Sequence, residues 1–152
     1  MLGIEGIVAQ TIQLALAPVF VLVAIGNIMN ILSTRLGRVV DRSRLLQDRY
    51  PGVSSEEHDA IVREIRVVDR RIALIGRAIL LLVLSGLTIG LVVALLFLQE
   101  LMTSNLQQIT AAAFFLAIAL LMAALWLFMR ETREATAALR IPKSYLELER
   151  EL

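Results

Sequence analysis

The 152-residue chain has no cysteine, one histidine, three prolines and only 5% aromatic residues. Without cysteine there is no disulfide framework, no thiolate metal site and no cysteine nucleophile. The single histidine, His58, lies in "EEHDA", where acidic residues suit the first turn of a helix. A metal site built on it would need ligands from elsewhere, so no metal and no cofactor is expected. Zinc-type spacings, a P-loop, a dinucleotide fingerprint and a nucleophile elbow are all missing. An enzyme is therefore not expected.

Charge is missing in a more informative way. No charged residue occurs between Glu5 and Arg35, between Arg77 and Glu100, or between Glu100 and Arg130. Each gap holds an apolar stretch: Leu14–Leu32, Ala78–Leu98 and Ile109–Met129. About 20 helical residues, rising about 1.5 Å each, cross a hydrocarbon layer of about 30 Å. The composition agrees, with 58% hydrophobic residues and a mean hydropathy of +0.76. The expected fold is an all-α integral membrane protein with three transmembrane helices, forming one membrane domain over residues 1–152. Nothing basic precedes the first span and no convincing cleavage site follows it, so it reads as a retained span. No acidic residue lies inside a span, so a carboxylate relay of the kind found in proton pumps is not expected.

Basic residues are also missing from the N-terminal segment and from the second loop, Gln99 to Asn105. All fifteen lie elsewhere: ten arginines between Ser33 and Arg77, and four arginines with Lys143 in the tail, residues 130–152. Basic loops are retained in the cytoplasm. The expected orientation is N-out and C-in.

Between spans one and two, Leu36, Val39, Val40 and Leu46 continue a helical stripe. One long helix is expected from about Leu14 to Tyr50, with a possible kink where Pro18 removes the bond to the Leu14 carbonyl. Pro51-Gly52 ends it. Ser54 and Glu57 then fit a capping box that starts the next helix. Ile61, Ile65, Val68, Ile72 and Ile75 form a heptad seam running into span two. Residues 33–77 should thus form a cytoplasmic antiparallel helical hairpin standing on spans one and two. The tail reads as an extension of span three, broken near Pro142 and followed by a short charged helix.

Within the spans, polar and small residues stand out. One face of span one reads Gln10, Gln13, Ala17, Phe20, Ala24, Asn27, Ile31, Thr34, Arg38. Lipid offers no hydrogen bonds, so Asn27 and Asn30 require a protein or water partner. They either bond to neighbouring helices or line a water-filled path, together with Gln13 and Thr34, at the axis of a homo-oligomer. A bound lipid or small ligand is a third reading. In span two, Gly86, Gly90 and Ala94 form a small-xxx-small ladder that permits close helix packing, and Ser85 and Thr88 should bond back to their own helix. Span three carries two alanine faces, one with Ala113, Ala117 and Ala124, the other with Ala112, Ala119 and Ala123. Trp126 suits an interfacial anchor.

Arg35, Arg38, Arg42 and Arg49 recur at helical spacing just past span one. Residues 33–50 carry five arginines against Asp41 and Asp48, whereas residues 51–77 balance at five against five. The excess at the membrane edge suits anionic headgroups, a ring at a pore mouth, or pairing within the chain, such as Arg38 with Asp41 or Asp69 with an arginine across the hairpin. No aromatic interleaves these charges, so nucleic acid is not an expected partner.

The stretches "LAPVF", "TRLGRVVDRSR", "DRRIALIGRAI" and "FMRE" resemble a bacterial membrane family catalogued as domain of unknown function 2721, over about residues 10–140. The resemblance implies a small multi-span inner-membrane protein and brings no activity or functional residues with it. Two functions are therefore carried forward. One is a homo-oligomeric ion-conducting channel lined by span one, with membrane lipid, further copies and an inorganic ion as partners. The other is a non-conducting scaffold or regulator whose hairpin binds a partner or anionic lipid.

Overall fold

The computed structural model describes residues 2–52, 54–102 and 106–138. They form helix α1 (Leu2–Arg49), a 3-10 turn at Tyr50–Gly52, helix α2 (Ser55–Met102) and helix α3 (Gln107–Ala138). The tail from residue 139, with its expected break at Pro142, lies outside the described residues. All three helices are long and apolar enough to cross a membrane, the architecture of a multi-pass membrane protein.

Helix α1 begins earlier than expected and runs through Pro18 as 48 continuous residues, about 72 Å at the helical rise. Proline is tolerated in such helices because neighbours and local adjustment satisfy the freed carbonyl. The turn comes where Pro51-Gly52 places it. Ser54 starts α2: its carbonyl accepts from the His58 amide at 2.9 Å, and its hydroxyl donates to the Glu57 carboxylate at 3.3 Å. The expected partners meet, though side chain to side chain. The Tyr50 and His58 rings lie 4.6 Å apart across the turn, so His58 helps close the hairpin.

Contacts along α1 and α2 run in opposite order: Tyr50 with His58, Arg42 with Glu64, and Leu22 and Ile25 against Gly86. The pair is antiparallel. Helix α3 is antiparallel to α2 in turn, with Arg71 on Glu131 and Ser85 on Ala117. Helix α2 is the middle member, and α1 and α3 meet each other at few places.

Burial follows a seven-residue period. Helix α1 buries Ile25, Leu32, Val39 and Leu46, while α3 buries Thr110, Ala117, Ala124 and Glu131. Helix α2, having a neighbour on either side, buries two series: Val68, Ile75, Leu82 and Ile89, and Ala78, Ser85 and Val92. This is the coiled-coil period, in which slight underwinding keeps one seam facing its partner along the length. The seam expected from Ile61 to Ile75 is present, with Val68 and Ile75 buried and Ile61, Ile65 and Ile72 half-buried. The outer surface is apolar over the spans, where Phe115 is 76% and Phe20 69% exposed. Such exposure is suited to lipid rather than water.

Candidate functional site

Two polar features stand out, one inside the bundle and one outside it. The inner feature is Glu131, a carboxylate with no exposed surface. It lies on the seam of α3, seven residues after Ala124, just past the charge-free stretch. Arg71 of α2 donates to its Oε1 from Nε at 3.1 Å and from Nη2 at 2.9 Å. Arg35 of α1 approaches Oε2 with Nη1 at 3.2 Å. Among the described residues Oε2 accepts no hydrogen bond, while Arg35 Nη1 donates to Thr132 Oγ1 at 2.8 Å. That hydroxyl donates to the Phe128 carbonyl at 3.0 Å, and the Arg35 guanidinium lies 5.1 Å from the centre of the Phe128 ring. One glutamate thus ties all three helices together. A buried charge is tolerable only when paired in this way.

Beside this cluster Arg42 donates from Nε to Glu64 Oε1 at 2.7 Å. Among the described residues, the pairings considered for Arg38 with Asp41 and for Asp69 do not form. Arg35, Arg38 and Arg42 line one groove, and Arg49 is not among its walls.

The outer feature is the polar face of α1. Gln10, Gln13, Ala17, Phe20, Ala24, Asn27, Ile31, Thr34 and Arg38 are all exposed. Thr34 donates back to the Asn30 carbonyl at 3.0 Å. No hydrogen bond from the Asn27 or Asn30 side chain forms among the described residues. Among the described residues, these amides therefore make no bond to spans two and three of the same chain. The reason is phase: the α1 seam runs through Ile25 and Leu32, and Asn27 stands two residues, about 200°, away from it.

The small residues divide similarly. A Cβ on Gly86 would meet Leu22 at 3.6 Å, an ordinary contact, whereas Gly90 has nothing within 4 Å and Ala94 is exposed. Ala117 and Ala124 are buried against α2, while Ala112, Ala119 and Ala123 face outward. Thr88 bonds back to Leu84 at 2.8 Å as expected. Ser85 instead reaches across to the Ala117 carbonyl at 2.7 Å, because it sits on the series that faces α3. Trp126 is exposed near the arginine-bearing end, 5.3 Å under the Arg130 guanidinium. At the opposite end an apolar cleft of about 450 Å³ opens between the helices, lined by Pro18, Val92, Gln99 and Thr110 among others. The Gln99 Oε1 atom is buried without a partner among the described residues. Among the described residues, no cluster of histidine, aspartate or glutamate could hold a metal ion.

Glu131 was not singled out from the sequence. The signal was available, because it continues the alanine series of span three and closes the "FMRE" stretch.

A family model described as "Protein of unknown function (DUF2721)" matches residues 15–141. No curated protein and no solved structure matches the chain.

Proposed function

The chain belongs to the DUF2721 family, whose description names no activity, and from its own residues we propose that it is a homo-oligomeric channel of the bacterial inner membrane. Copies meet along the polar face of α1 around a water-filled path. The observation that supports this is the open face itself. Asn27 and Asn30 are exposed at the level of the first span, and two amides facing hydrocarbon would lack hydrogen bonds. Water or a second copy supplies what the chain does not. Gln13, Asn27, Asn30 and Thr34 line the path, and Phe20 and Ile31 form apolar collars of the kind that gate by dewetting. The N-terminus is outside. The turn between α1 and α2 and the C-terminus are cytoplasmic, where basic segments are retained, so Arg35 and Arg38 sit at the inner mouth.

A second reading draws on the groove beside Glu131: a non-conducting scaffold whose cytoplasmic hairpin recruits a partner or anionic lipid. Native mass of the protein released from nanodiscs separates the two. A closed ring of several copies, with ion flux in liposomes that changes in Asn27→Leu, is expected of the channel. A monomer or dimer leaves no axis for α1 to line and overturns it.

A further inference from the structure

Next to the buried glutamate is a groove of about 380 Å³. Arg35, Arg38 and Arg42 of α1 and Arg71 and Glu64 of α2 form its walls, over a floor that includes Val39 and Val68. Four guanidiniums there face two carboxylates, Glu64 and the adjoining Glu131. Glu64 takes Arg42, Glu131 is shared by Arg35 and Arg71, and Arg38 has no carboxylate among the described residues. Two positive charges are left uncompensated. An apolar floor below an excess of guanidinium is the chemistry of an anion site, since the guanidinium fork matches the oxygens of a phosphate.

The site is also preorganised. Glu131 and Thr132 hold Arg35 and Glu131 holds Arg71, so two of the walls are set before any ligand arrives. Arg38 is exposed and free to close over it. Depth identifies the source of the anion. Arg35 is the first charged residue after the apolar stretch of α1, and Arg71 lies six residues before Arg77, the last charge before that of α2. The groove therefore opens where hydrocarbon gives way to headgroups. We propose that it binds the phosphate group of an anionic phospholipid headgroup. This does not depend on conduction, and an Asn27→Leu protein that passes no ions would still bind the lipid.

The test uses the full chain purified in a neutral detergent, with phosphatidylglycerol, phosphatidylcholine and inorganic phosphate as probes. Native mass spectrometry reads retained lipid and thermal melts read stabilisation. Phosphatidylglycerol should be retained in preference to phosphatidylcholine. Arg38→Gln should weaken that retention about fivefold, the equivalent of about 1 kcal/mol per basic residue at a membrane surface. Arg44→Gln should not: Arg44 is exposed on the same helix but does not line the groove. Neither arginine has an ion pair among the described residues, so both variants should fold, as their melts without lipid will show. Equal weakening by both substitutions would reduce the effect to general surface charge and overturn the site. Equal retention of the two lipids would also overturn it. Stabilisation by inorganic phosphate as large as that by lipid would overturn the headgroup assignment.

Discussion

Glu131 and the pair Asn27 and Asn30 are both polar groups at the edge of, or within, an apolar stretch, and the fold treats them oppositely. The glutamate carries a full charge and is buried, with two arginines upon it. The asparagines are neutral, and they stand exposed, with no side-chain partner among the described residues. Polarity does not account for the difference. Phase does. Glu131 falls on the seven-residue series that α3 turns toward α2, while Asn27 falls on the far side of the α1 seam. A residue on the seam must find its partner within the chain. A residue off it is served by its own helix or a nearby side chain, as Thr34 and Arg42 are, or is left to water or another copy.

Four variants sharpen this contrast. The largest effect is expected at Glu131. Glu131→Gln leaves Arg35 and Arg71 facing each other without a counter-charge, and losing one partner of a buried ion cluster costs about 3–5 kcal/mol. A denaturation series in detergent should show it as a lowered midpoint. The triple variant Arg35→Met, Arg71→Met, Glu131→Leu should recover most of the loss, because an apolar replacement of a buried charge cluster is often neutral. Ser85→Ala should cost less, about 0.6 kcal/mol and at most about 2, the range for hydrogen bonds between membrane helices. The Ala117 carbonyl keeps its helical bond in that variant. The smallest effect is expected at Asn27: in the isolated monomer, Asn27→Leu should leave the melting temperature unchanged while lowering copy number in nanodiscs. A monomer destabilised by Asn27→Leu as much as by Ser85→Ala would break the contrast and place the amide inside the chain's own packing.

Much of the fold was legible in the order of residues. Three charge-free stretches marked three helices, Pro51-Gly52 marked the turn, and Val68 and Ile75 marked the seam. The polar face of α1 could be drawn in full from Gln10 to Arg38. What could not be read was which side of each helix the neighbours occupy. Ser85 was expected to bond within its own helix, as Thr88 does, yet a shift of three residues turns it toward α3. The arginines were countable, but their partners were not: Glu64 and Glu131 lie 22 and 96 residues from the arginines they meet on α1, and only packing brings them together.

The sequence by itself determined that this chain forms three long apolar helices, where its turn lies, and that its basic residues collect on one side of the spans. Those properties follow from local backbone chemistry and from the transfer of side chains out of water, and both are additive along the chain. Tertiary structure alone decided that α2 is the middle helix, that Glu131 joins the three helices through Arg35 and Arg71, and that Asn27 and Asn30 face outward. Those depend on the rotation of each helix about its axis, which is set by the contacts of the whole bundle at once.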